Sequence, residues 1–282
     1  MAEQESWDIE ISPNQKWFAF NLAEMWRYRD LLLLLIKRDV VATYKQTILG
    51  PLWFFIQPIL TTSLFLLVFS KVARLPTDSC PPALFYMGGV VMWQYFSTSL
   101  LATSNTFVNN VSIFGKVYFP RILLPLSTAL SNMVKFAAQL GLYFIMIVYY
   151  LINGAEISIN STALLFPLLL LIMVLACLGI GMLVSALSIK YRDVQFLMGF
   201  GIQLYMYASP VIYPLSTVPN KWRLVFLLNP MCPVIEGTRF AFTGHGVFGW
   251  PQLWPGALMS LALFFIGLTI FNRVERAFVD SV

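Results

Sequence analysis

Six long apolar stretches constrain this chain more than any other feature. Residues 48–70, 84–107, 126–151, 163–189, 194–212 and 253–271 are almost free of charge. An α-helix needs roughly 20 such residues to cross a hydrocarbon layer ~30 Å thick. In lipid every backbone polar group must be satisfied within the span, which leaves only helices and closed barrels. The six windows therefore predict an all-α polytopic membrane protein with six transmembrane helices. Composition leads the same way: of 282 residues 59% are apolar and 11% charged, against roughly 25% charged in a soluble domain. A soluble chain would lack the polar residues to cover its exterior.

Two segments do not fit the spanning pattern. Residues 213–252 hold two short apolar pieces, 222–228 and 234–242, broken by Pro230 and Pro233. Neither can span, so the pair is expected to form a re-entrant or interfacial helical hairpin before the last span. Near the N-terminus the apolar run 31–36 is flanked by charges at 30, 37, 38 and 45, which recur at helical spacing. That pattern predicts an amphipathic interface helix, with simple anchorage to anionic lipid as the alternative. The expected layout is a cytoplasmic N-terminal segment 1–47, a transmembrane domain 48–271 and a cytoplasmic tail 272–282. No cleavable signal segment is expected ahead of the first span. Basic residues set the orientation: with both termini cytoplasmic, twelve of the 18 fall inside and five outside, with Lys135 in a span. Trp222, Trp250 and Trp254 then lie near the outer interface, and Trp26 and Trp53 near the inner one.

A search for chemistry finds little. The basic residues are scattered along loops, which argues against nucleic acid. Cys80, Cys177 and Cys232 lack metal or redox spacing and are expected to be free thiols, with Cys80 and Cys232 able to meet outside the membrane and open to labelling there. The single histidine, His245, sits between two glycines, so no His-based cluster forms within one chain. No GxxxxGK[ST] loop occurs, so ATP energy must come from another protein. Asp78, Glu156 and Glu236 are scattered. Glu236 and Arg239, three apart, are expected to make a weak surface ion pair. The sequons at Asn110 and Asn160 are read as chance. Lys135 stands apart, because a cation within a span costs ~2.5–3.5 kcal/mol and is a functional candidate by default. Two readings stay open: a wet or subunit-facing position, or an inert lysine snorkelling to the interface.

Four blocks then carry a family resemblance. The first is Arg29-Asp30-Leu31-Leu32 with Lys37-Arg38-Asp39, Tyr44-Lys45-Gln46 and Leu49-Gly50-Pro51-Leu52-Trp53. The others are Lys116-Val117-Tyr118-Phe119-Pro120-Arg121 with Leu124-Pro125-Leu126; Lys190-Tyr191-Arg192-Asp193-Val194; and Ser209-Pro210-Val211-Ile212-Tyr213-Pro214 followed by Asn229-Pro230-Met231. Together they resemble the permease subunit of type-2 ATP-binding-cassette polysaccharide exporters, the group that exports O-antigens, capsules and teichoic acids. The resemblance implies a homodimer joined to two ATP-binding-cassette ATPase subunits, which hold MgATP. No cofactor or metal is expected in this chain. It would sit in the bacterial inner membrane among lipid and export a lipid-linked polysaccharide through a path between the two copies, with 213–252 as the outer gate.

Coupling to the ATPase is expected through the interface helix, with Arg29, Asp30, Lys37, Arg38, Asp39 and Lys45, and through a proline-bounded elbow, 110–125. In the elbow Lys116 and Arg121 would donate to the partner, while Phe114, Tyr118 and Phe119 would anchor in it; an ordinary tight inner loop is the plainer reading. Sugar rings present apolar C–H faces, so Trp53, Phe54, Phe55, Trp93, Tyr95, Tyr205, Tyr207 and Tyr213, with Lys135, are the candidates for the path. Simple packing against helices or lipid accounts for many of them. The competing functions are an exporter of drugs or free lipids and, from another class, a membrane-embedded glycosyltransferase.

Overall fold

The computed structural model describes residues 22–45, 48–114, 119–191 and 193–279, and every regular element among them is helical. Lys116, Tyr118 and Arg192 lie outside the described residues. The order is α1 (Leu22–Arg27), α2 (Arg29–Tyr44), α3 (Trp53–Phe65), α4 (Pro82–Ser104), α5 (Thr106–Phe114), α6 (Leu123–Ile152), α7 (Phe166–Lys190), α8 (Asp193–Tyr207), α9 (Asn220–Leu228), α10 (Met231–Thr243) and α11 (Trp250–Val279). A wider π-type coil, Leu66–Val72, extends α3.

Among the described residues, four helical segments are long and apolar enough to cross a membrane: Gly50–Val72, Leu123–Ile152, Ser161–Lys190 and Trp250–Val274. The other two expected spans differ for separable reasons. α4 has 23 residues but carries Gln94, Ser97, Thr98, Ser99, Thr103 and Ser104. It is the central helix, buried against α3, α6, α7 and α10, so its neighbours are protein and it does not need an apolar exterior. α8 has 15 residues, or ~22 Å at 1.5 Å per residue, because Pro210 follows and the chain continues as the buried non-helical segment 209–214.

α7 and α11 form the most extensive helix pair. Glycine makes it possible: a Cβ on Gly179 would lie 2.5 Å from the Leu263 carbonyl carbon and the Phe264 nitrogen, and one on Gly267 would strike the Gly179 carbonyl. Small residues at such a crossing let two backbones approach within lipid, where dispersion contacts hold helices together. Two ends of the bundle follow from connectivity. One end holds α2, which packs on α6, and α5, whose Phe107 N–H donates to Ser185 Oγ on α7 at 3.1 Å. The opposite end holds α9, α10 and the link 153–160, where the Ser158 and Asn160 N–H groups donate to the Thr243 and Ala241 carbonyls at 3.2 and 3.0 Å.

The short helices fall close to where the sequence puts them. α9 and α10 take up 222–228 and 234–242 and part at Asn229-Pro230. α10 is buried on all sides, whereas α9 exposes Trp222, Leu224 and Val225. α2 spans the expected interface helix, with Leu35 buried and Leu33 and Leu34 exposed.

Candidate functional site

A polar groove runs between α3, α4 and α6. Its first part, about 150 Å³, is lined by Thr43 of α2; Trp53, Phe54 and Gln57 of α3; Gln94, Tyr95 and Thr98 of α4; and Asn132, Lys135, Phe136 and Gln139 of α6. The second, about 180 Å³, shares Gln57, Gln94 and Thr98 and continues past Thr61, Phe65, Trp93, Ser97 and Met206 to Val211. Helical spacing builds this surface. Trp53, Gln57, Thr61 and Phe65 follow one another at i, i+4 on α3, as do Gln94 and Thr98 on α4, while Asn132, Lys135 and Gln139 share one face of α6. The stripe on α3 from Trp53 to Phe65 covers ~18 Å of rise. A cavity needs only ~10–15 Å³ and two to four polar partners to hold one water, so both parts are roomy and polar enough to be wet.

Within the groove Gln139 Nε2 donates to Gln94 Oε1 at 3.1 Å, and the Tyr95 hydroxyl donates to the Ala129 carbonyl at 3.2 Å. Tyr95 packs on Phe136 with ring centres 5.2 Å apart. Lys135 is half-buried, and its charged neighbour is Asp39 of α2, itself held by Arg38 at 2.8 Å.

The groove ends at the loop 209–214, whose backbone is held by side chains. Where α8 stops, its last carbonyls lose their helical partners, and each described one below finds a donor. Tyr213 Oη donates to the Tyr207 carbonyl at 2.6 Å, and Asn229 Nδ2 donates to the Ala208 carbonyl and to Ser209 Oγ, both at 2.9 Å. Arg239 supplies the rest: Nη1 to the Pro210 carbonyl at 2.6 Å, Nη2 to the Val211 carbonyl at 2.7 Å and Nε to the Phe85 carbonyl of α4 at 3.1 Å. Its guanidinium also lies 3.6 Å from the centre of the Phe85 ring. Glu236 Oε1 accepts from Arg239 Nη1 at 3.4 Å and from the Leu215 N–H at 3.1 Å. Burial pushes the Glu236 carboxyl up, against the opposing pull of the guanidinium. Gly89 leaves room for this cluster, since a Cβ there would sit 2.5 Å from Arg239 Nη2.

Several expectations change here. The Glu236–Arg239 pair forms, but it is almost fully buried, with side-chain exposures of 1% and 2%. It tethers α10 to α4 and to the loop, a role that the i, i+3 spacing alone does not reveal. Cys80, Cys177 and Cys232 are free thiols as expected, yet all three are buried. Burial also pushes the Cys80 thiol up to about 11 and raises that of Cys232, so neither suits labelling from outside.

Of the path candidates, Trp53, Phe54, Tyr95 and Lys135 line the first part of the groove and Trp93 the second. Phe55 and Tyr207 are exposed and line neither. Tyr213 ties down the α8 terminus. Tyr205 faces another, apolar groove and donates to Asn229 Oδ1 at 2.6 Å. The amides and hydroxyls at 57, 61, 94, 98, 132 and 139 were not anticipated, although polar residues recurring at i, i+4 within apolar stretches were the available signal. On α2, Arg29 and Asp30 approach no closer than 3.9 Å, and Lys37, like Lys45 just past its end, is exposed. Phe114 ends α5, which kinks at Asn110. Phe119 and Arg121, expected to reach out to a partner, are instead turned inward, with exposures of 6% and 9%.

A membrane bundle crossed by a polar groove has the build of a transporter subunit. Comparison with known families places the chain: residues 30–243 match the ABC-2 type transporter family, and the chain belongs to it. Among its relatives is the O-antigen export system permease protein RfbA of Myxococcus xanthus, 29% identical over 92% of this chain and 98% of that protein. The RfbA of Klebsiella pneumoniae is 26% identical over 89% and 94%. The polysialic acid transport protein KpsM of Escherichia coli is 22% identical over 88% and 94%.

Proposed function

We propose that this chain is the permease subunit of an ATP-driven exporter that moves a lipid-linked polysaccharide across the bacterial inner membrane. The observation that carries the reading is the polar groove through an otherwise apolar bundle, ending at a loop held by side chains. Relatives named for O-antigen export and polysialic acid transport support a glycan as the cargo. A sliding polymer needs many weak contacts, and aromatic faces next to amides and hydroxyls provide them.

In this reading six segments cross the membrane. α4 crosses packed against its helical neighbours, and α8 completes its crossing with the segment 209–214, whose Ser209, Pro210, Val211 and Pro214 carbonyls accept internal hydrogen bonds, as a broken helix in lipid requires. Exposed Trp26 and Trp53 at the α2 end, and Trp222, Trp250 and Trp254 at the other, suit two interfacial belts. The basic asymmetry supports a cytoplasmic α2 end with both termini inside. Beside the groove Leu60, Leu64 and Leu67 are exposed, and a second copy would cover them and close it. Two ATPase subunits holding MgATP would act on the α2–α5 end, and α9 with α10 would gate the far end. The chain itself does no covalent chemistry.

Deleting the gene tests this. Surface polysaccharide is expected to disappear while lipid-linked glycan accumulates in the cytoplasm, and the wild-type chain should restore export. Unchanged surface polysaccharide in the deletion strain would refute the proposal.

A further inference from the structure

Lys135 lies twelve residues past the start of α6, ~18 Å along its axis. Among the described residues it makes no hydrogen bond or ion pair. Asp39, its charged neighbour, is engaged by Arg38 at 2.8 Å. The ammonium group therefore enters a polar cleft with its hydrogen-bonding capacity unused. The groups around it add neutral donors. The single bond from Gln139 Nε2 to Gln94 Oε1 leaves the Gln94 amide N–H₂ unused, and Asn132 and Thr98 line the same wall. Trp53 and Phe54 supply aromatic faces beside them. A cation, amide and hydroxyl donors, and flat apolar rings are what an oxyanion attached to a sugar or a phosphate would be recognised by. A purely apolar or neutral cargo would leave the lysine unmatched.

We propose that the cleft around Lys135 is an oxyanion-recognising subsite of the substrate path, which selects cargo bearing a carboxylate or phosphate at this level of the groove. The inference rests on the export reading above and adds the chemical class of the group recognised. Two sources share that chemistry: acidic groups on the glycan, and the phosphates of the lipid anchor. The test separates them by using the full chain in nanodiscs of phosphatidylcholine and two matched probe pairs. Hexagalacturonate is compared with its methyl ester, and farnesyl diphosphate with farnesol, by titration calorimetry.

At least one anionic probe should bind about ten-fold more tightly than its neutral twin, the scale of one charge-assisted hydrogen bond. The preference should vanish in Lys135→Gln and persist in Lys135→Arg. Asn132→Ala, which keeps the charge, should weaken binding of the anionic probe only partly. Preference for galacturonate assigns the subsite to the glycan, and preference for the diphosphate assigns it to the anchor. Absence of any charge preference in the wild type, or its survival in Lys135→Gln, would overturn the proposal. If the wild-type chain restores surface polysaccharide in the deletion strain but shows no charge preference, the subsite alone is refuted; if it restores none, the export reading falls with it.

Discussion

Arg239 engages three backbone carbonyls and a carboxylate from a position with almost no solvent. A planar guanidinium presents donors in a fixed fork, which is what carbonyls facing three directions require, and a lysine ammonium cannot reproduce it. Removing it would orphan the Pro210 and Val211 carbonyls and leave Glu236 buried without its counter-charge. Breaking a buried pair from one side costs about 3–5 kcal/mol. Arg239→Leu should therefore lower the yield of monodisperse protein and its thermal midpoint, and Arg239→Lys should recover little of either; size-exclusion chromatography and a detergent melt would measure both. The sequence shows the two residues at ion-pair spacing but not what surrounds them. Their burial depends on a loop more than twenty positions upstream and on Phe85, more than 150 positions away, and no local pattern encodes such contacts.

At the level of helices, legibility follows the solvent each one faces. α3, α6, α7 and α11 present faces to lipid, so their residues are apolar over the required length and their spans can be read directly. α4 packs against α3, α6, α7 and α10 and carries hydroxyls and an amide, while α8 is cut short by Pro210. Both depend on partners that a hydropathy window does not see. The break at Asn229-Pro230 was legible because proline acts locally. The glycines joining α7 and α11 were not, since a crossing point is a property of two helices. Gly179→Leu should force the pair apart at a cost of about 1–3 kcal/mol or more, read as a lower thermal midpoint and loss of monodisperse protein. Gly201→Ala on α8 meets no atom within 4 Å and should leave both unchanged. Equal effects of the two substitutions would contradict the close-approach account.

Over the whole molecule, the groove joins the end that carries α2 and α5 to the loop pinned by Arg239, and it crosses a bundle otherwise shielded by apolar side chains. Only the smaller part of its lining was legible: Trp53, Phe54, Trp93, Tyr95 and Lys135 stand out in any span, whereas Gln57, Gln94 and Gln139 gain meaning only once three helices bring them together. Of the residues expected to couple to a partner, Phe119 and Arg121 pack inward, and Lys116 and Tyr118 lie outside the described residues. In the proposed mechanism this groove, closed by a second copy and driven by a separate ATPase, moves a lipid-linked glycan. Inside-out membrane vesicles test it most directly, because export there carries the glycan into the lumen. With radiolabelled lipid-linked glycan, both subunits and ATP, the label should become protected from added glycosidase, and omitting the chain, the ATPase or ATP should leave it fully exposed. Glycan that stays exposed with every component present, or becomes protected without this chain, would contradict the account.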